Sequence, residues 1–138
     1  MAVLGVGVDL IEIERVRRTI ERTPGVLARL FTDAELARCT HRGGQLRVGG
    51  LAARFCAKEA LSKALGTGLR GFAWRDVEVV NDALGKPSIA LVGPAAAQAR
   101  RSGVEAVHLS LSTSDTMAVA QVVVEGRPPQ TTAPGRQA

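Results

Sequence analysis

The sequence predicts an α+β domain in which a small antiparallel sheet packs against one long central helix. Three observations carry that expectation. The stretch Arg54-Phe-Cys-Ala-Lys-Glu-Ala-Leu-Ser-Lys-Ala-Leu-Gly66 has no proline and no interior glycine, five alanines fall from Ala52 to Ala64, and a glycine able to take φ > 0 closes it. Short β-rich runs bounded by turn residues lie before and after it. At 138 residues the chain is one domain, long enough for a core of its own.

Each element follows in order. Residues 2–9 (AVLGVGVD) are β-rich, and glycines at 5 and 7 in a strand signal close backbone approach or a bulge. Asp9 directly follows the apolar run, either as a helix N-cap or as a carboxylate held at a strand end and aimed into a site. Residues 11–21 read as a helix with Ile13, Val16 and Ile20 on one face and Arg15, Arg17, Arg18 and Arg22 on the remainder. Thr23-Pro-Gly25 breaks it, 26–31 is a short apolar piece, and Thr32-Asp-Ala-Glu35 is a capping box opening a helix to about Cys39. A flexible basic loop, 41–50, leads to the central helix from about Leu51. At 100° per residue Ala53, Ala57, Ala60, Leu61 and Ala64 share one small apolar arc, so something can pack very close to it. Glu59 and Lys63 share a stripe with Ala52 and Cys56, whereas Arg54, Lys58 and Ser62 line another with Leu51 and Phe55. Beyond a turn-rich connector at 67–71, residues 76–81 and 88–92 pair through a turn at 82–87. Gly93-Pro94 opens a helix over 95–101, and strands at 108–112 and 117–124 form an antiparallel hairpin. The domain is expected to span 1–125, with a disordered Pro/Gln/Thr-rich tail at 126–138.

The bulk numbers bound the function. A net charge of +5 and a pI near 10.2 favour an acidic partner or a polyanionic ligand. With one Trp, three Phe and no Tyr, a base-stacking surface has little to be built from, and no lysine/arginine run occurs, so nucleic acid is not the expected partner. Cys39 and Cys56 lack metal-ligand spacing and read as core or free thiols, which suits a reducing compartment. The first residues show no basic stretch followed by a long apolar run, and no 18-residue apolar segment occurs, so a cytoplasmic protein without a membrane partner is expected.

The chemistry lies in Asp9, Glu59 and Lys63. Two carboxylates, too few for a dedicated protein cage, suit a magnesium ion completed by water and substrate phosphates. A lysine one helical turn beyond Glu59 adds positive charge for a phosphate, the combination that phosphoryl-type transfer needs. Gly5-Val-Gly-Val-Asp9, Arg54-Phe-x-Ala-Lys58-Glu59-Ala60-x-x-Lys63-Ala64-x-Gly66, Gly85-Lys86-Pro87 and His108-x-Ser110-x-Ser112 occur in this order. Together they resemble the holo-[acyl-carrier-protein] synthases, the small branch of the 4′-phosphopantetheinyl transferases, over about nine-tenths of the chain.

The resemblance implies that family's fold, a homotrimer with its site between neighbouring subunits, and transfer of 4′-phosphopantetheine from coenzyme A to a serine of apo acyl carrier protein. It makes Asp9 and Glu59 the Mg2+ ligands and has Lys63 contact the scissile phosphate, or its attacking serine through water, with Glu59 or a bound water taking the serine proton. It implies coenzyme A contacts from Arg54, Lys58, Ser62, Gly66, Lys86, Pro87 and His108, and carrier docking by Arg15, Arg18 and Arg22. Thr113 stands where many relatives carry a second histidine, and the tail is not a family feature. Two other classes fit parts of the pattern. A magnesium-dependent phosphodiesterase would use the same carboxylates but usually recruits more of them. A basic non-catalytic adaptor explains the charge and leaves Asp9, Glu59 and Lys63 idle.

Overall fold

A computed structural model describes residues 1–67 and 71–130. Strand β1 (Ala2–Glu12) is followed by helices α1 (Ile13–Arg22), α2 (Val26–Leu30), α3 (Asp33–Arg38) and the long α4 (Val48–Leu65). A 3-10 turn (Trp74–Asp76) leads into the hairpin β2 (Val77–Asn81) and β3 (Pro87–Leu91), then α5 (Gly93–Arg101), β4 (Val104–Thr113) and β5 (Met117–Gly126). The strands form two antiparallel sheets, one of three strands in the order β1-β5-β4 and the separate β2–β3 hairpin.

The central contact is α4 on the three-stranded sheet. Ala118, Ala120, Val122 and Val124 of β5 are buried against Ala53, Ala57, Ala60, Leu61 and Ala64 of α4, the small arc expected from the sequence. On β1 the helix comes so near that no side chain fits. A Cβ on Gly5 would lie 1.9 Å from the Ala64 carbonyl oxygen, and one on Gly7 1.8 Å from that of Ala60. The two glycines are therefore a requirement of backbone approach, one of the two readings the sequence left open for them. The other is present too: a register shift between Val3 and Gly5 marks an irregularity there.

Several boundaries differ from expectation for physical reasons. Strand β1 runs on to Glu12, because residues as far as Glu12 pair with β5, down to Met117. Asp9 is thus inside the strand, opposite Ala120, and is not the N-cap of α1; that position is Glu12, whose side chain makes no capping bond. Helix α4 starts three residues early, at Val48, taking in Gly49 and Gly50. A Cβ on Gly50 would come within 3.1 Å of Cys39 Sγ, so packing against α3's C-cap holds this first turn. The capping box at Thr32/Glu35 is present in both directions, and Gly66 closes α4 in the left-handed region at φ 74°. Gly126 ends β5 and the Arg127 amide donates to the Gly103 carbonyl, so the chain remains ordered past 125. The expectation for the rest of the tail, and most of the connector at 67–71, fall outside the described residues.

Candidate active site

The close approach of β1 and α4 places the reactive side chains. Two strand residues advance about 6.6 Å and four helical residues about 6 Å. With β1 and α4 running in opposite directions, Gly5 meets Ala64, Gly7 meets Ala60, and Asp9 arrives beside Cys56 and Glu59. Asp9 lies on the same face of β1 as the two glycines, and here the helix surface turns from alanine to charge. Lys63 reaches back, its Nζ donating to the Val8 carbonyl at 2.9 Å and to Asp9 Oδ1 at 3.2 Å. Asp9 is mostly covered, Glu59 half-buried and Lys63 exposed.

The electrostatics record how near the two acids are. Burial, and then the negative charge of Asp9, raise the Glu59 carboxyl above its ordinary range, with Lys63 pulling the other way. Cys56, fully buried with its Sγ 3.6 Å from the Ala118 carbonyl, is pushed up to about 12 by burial and then by Asp9. It is an inert neutral thiol at this position. Two hard oxygen donors close enough to repel each other have the chemistry that suits a magnesium ion, and Asp9 and Glu59 could hold one.

The carboxylates open onto a groove of about 430 Å³ between β1, α1, α2 and α4. Its walls are largely apolar, with Leu10, Val16, Ile20, Leu30, Phe31 and Phe55, and Arg15 lies at its rim. A second, polar hollow follows α1 along Glu14, Arg15, Arg18 and Arg22. Glu14 holds Arg17 at 3.3 Å and Arg18 at 3.7 Å, exposed pairs that contribute little to stability.

Other expected site residues stand apart. Lys58 is a correction: it is fully buried, and its ammonium donates to Glu35 Oε1 at 2.6 Å, the Leu30 carbonyl at 2.8 Å and the Trp74 carbonyl at 3.2 Å. With its three donors used inside the core, it has none left for coenzyme A. Ser62 is also buried and donates to the Glu59 carbonyl. Arg54 is buried, donating from Nη1 to the Gly50 carbonyl and from Nη2 to Asn81 Oδ1, whose amide nitrogen donates to the Gly85 carbonyl at the hairpin turn. Arg54 Nε is buried without a partner. Lys86 is exposed on that turn beside Pro87, the first residue of β3. His108 lies on the opposite face of the large sheet from Asp9, 2.5 Å from Glu125 Oε1.

Sequence reasoning missed the Lys58–Glu35 pair and the groove. A signal for the pair existed, since Lys58 shares its helix stripe with Leu51 and Phe55, a face with no reason to meet water.

Comparison with known proteins places this arrangement in a class. The description "4'-phosphopantetheinyl transferase superfamily" belongs to the family pattern that matches residues 5–121, and the chain belongs to that superfamily. Within it, the chain is similar to the holo-[acyl-carrier-protein] synthase of Desulforudis audaxviator, 48% identical over 90% of this chain and 94% of that protein. The synthase of Frankia casuarinae is 46% identical over 91% and 99%. Among solved structures, the synthase of Neisseria meningitidis superposes with a TM-score of 0.80 at 33% identity, covering 89% of this chain and 98% of that one. The synthase of Bacillus anthracis, in complex with CoA (3',5'-ADP), gives 0.73 at 35% identity, covering 92% and 100%.

Proposed function

We propose that this chain transfers the 4′-phosphopantetheine group of coenzyme A to a serine hydroxyl of an apo acyl carrier protein, releasing adenosine 3′,5′-bisphosphate. The observation that carries the reading is the meeting of Asp9, Glu59 and Lys63 at one end of the β1–α4 contact, beside an arginine-rimmed groove. In the transfer the serine Oγ–phosphorus bond forms, the bond from phosphorus to the nucleotide's 5′-phosphate oxygen breaks, and the serine proton must leave.

Asp9 and Glu59 would hold Mg2+, which when bound neutralises phosphate charge and orients the pyrophosphate. Lys63 spends two donors on Val8 and Asp9, and its third and its charge are free to steady the phosphate oxygens as negative charge builds. Glu59, or a water held beside it, would receive the serine proton. Arg15, Arg18 and Arg22 offer α1 as the docking face for an acidic carrier helix.

The nucleotide end of the site comes from a neighbouring copy in a homotrimer. Two facts support this. Within one chain His108 is on the opposite face of the large sheet from Asp9. Val6, Val8 and Leu10 form an outward stripe on β1, each more than half exposed, which leaves an apolar face for another subunit to cover. Arg54, with an unpartnered Nε next to the Gly85-Lys86-Pro87 turn, belongs with that nucleotide end. No helix among the described residues is long and apolar enough to cross a membrane, and two buried free thiols suit the cytoplasm.

The test is intact-mass spectrometry of an apo fatty-acid carrier protein incubated with this protein, coenzyme A and Mg2+. A gain of one phosphopantetheine mass, abolished by EDTA and by Asp9→Ala, is the expected result. Absence of any gain on fatty-acid, polyketide and peptidyl carriers alike overturns the reading.

A further inference from the structure

We propose that Lys58, paired with Glu35, is a positioning residue that fixes the outer wall of the groove beside Asp9 and Glu59; the proposal rests on the transferase reading only for its kinetic test. Every partner of the Lys58 ammonium belongs to that wall or directly backs it. Leu30, whose carbonyl accepts at 2.8 Å, lines the groove, as does Phe31, whose ring centroid is 5.5 Å from Nζ. Trp74, whose carbonyl accepts at 3.2 Å, stacks at 5.3 Å on Phe55, another wall residue.

Glu35 completes the tie. Its Oε1 accepts from Lys58 and from the Thr32 amide, and its Oε2 accepts from the Val79 amide of β2. One buried ion pair therefore joins α2, α3, α4, the 3-10 turn and the second sheet. That fastening matters because α2 and α3 rest on a small separate cluster around Phe31, Cys39 and Leu51, not on the main core. On the opposite wall β1 is held by its pairing with β5, and α1 by Ile13, Val16 and Ile20 against the main core. Loosening Lys58 would thus move one wall against the other while leaving Asp9, Glu59 and Lys63 on their own well-held elements.

The experiment combines steady-state kinetics with the fluorescence of Trp74, the single tryptophan of the chain. Lys58→Met, Glu35→Gln and the double variant are compared with the parent protein, each checked by circular dichroism. The double variant removes both charges at nearly constant volume, so it remains a test where a single variant leaves an unpaired buried charge and fails to fold. The expected result is a rise of about tenfold in KM for the apo carrier, with kcat within about threefold of the parent. A red-shifted Trp74 emission accompanies it. A folded double variant with unchanged carrier KM and unchanged emission overturns the proposal. So does a fall in kcat alone, which would put Lys58 in the chemistry, or a rise in KM for coenzyme A alone, which would restore it to the cofactor site. Should the parent protein transfer nothing, the transferase reading fails, and the emission of the variants still decides whether Lys58 holds the wall.

Discussion

Replacing Gly7 by alanine tests the geometric origin of the site. The added Cβ would stand 1.8 Å from the Ala60 carbonyl oxygen, 2.8 Å from its carbon and 2.9 Å from the Ala64 nitrogen. All three are helix backbone, so no side chain can swing aside. Restoring an ordinary contact requires β1 and α4 to separate by about 1.5 Å, and overpacking that cannot relax locally costs about 3 kcal/mol. For a domain of this size that is a fall of about 10 °C in Tm. The same displacement draws Glu59 and Lys63 away from Asp9, and misplacement of about 1 Å costs about 10²-fold in turnover. Thermal denaturation followed by circular dichroism reads the first effect, and transfer kinetics on the surviving folded protein read the second. Gly25→Ala is the control, because a Cβ there meets nothing within 4 Å and the backbone is already right-handed helical. If Gly7→Ala melts within about 2 °C of the parent and transfers normally, the glycines do not set the helix approach and this account of the site is wrong.

Four further outcomes are expected. Lys63→Met should lower kcat/KM by about 10²–10³-fold while leaving Tm nearly unchanged, since the side chain is exposed and its removal takes charge from the phosphate; an unaltered rate would remove it from the chemistry. Stabilisation by Mg2+, measured as a Tm shift, should shrink as the pH falls from neutrality. Glu59's carboxyl pKa is raised in the folded protein, so the ion-free fold gains stability as pH falls through that raised value, fully below the unfolded value, and loses the gain as pH climbs back through it, whereas the ion needs the charged form. A pH-independent Tm shift would mean that Glu59 is not a ligand. Leu10→Asp should reduce the assembly mass seen by light scattering and abolish transfer. Mixing Glu59→Gln chains with His108→Ala/Lys86→Ala chains should regain activity that neither has alone; no recovery would place the whole site within one chain.

What the sequence made legible depended on whether one periodicity carried the information. The Gly5/Gly7/Asp9 alternation and the alanine arc of α4 each state a face, and the two faces meet as their spacings require. Glu59 and Lys63, one turn apart, then fall beside Asp9 without further assumption. Lys58 obeyed the same helical geometry, yet its role turned on a partner 23 residues away. Glu35 had already been assigned to a capping box, which it does form. One carboxylate has two oxygens with several acceptor positions, so a cap and a buried ion pair are compatible, and local pattern reading stops at the first satisfied role. The end of β1 is hidden for a related reason: its pairing with β5 as far as Glu12 is a property of register over more than a hundred residues, which helix-start signals near Leu10 do not carry.

The same reasoning explains why His108 stands away from Asp9 and Glu59 within one chain. His108 alternates with Leu109 and Leu111 on β4, and the leucines must take the core face, packing against the main cluster. His108 is then forced outward, onto the surface that also carries Val6, Val8 and Leu10. A histidine and an apolar stripe on one outward face are poorly explained as isolated solvent-facing residues, because the stripe is too hydrophobic and too continuous. Both are accounted for at once if another copy covers this face and the histidine meets the ligand bound at that copy's Asp9 and Glu59. On that view the glycines that let α4 settle on the inner face of β1, and the valines on its outer face, serve one end: a thin strand with a reactive carboxylate between two close-packed neighbours.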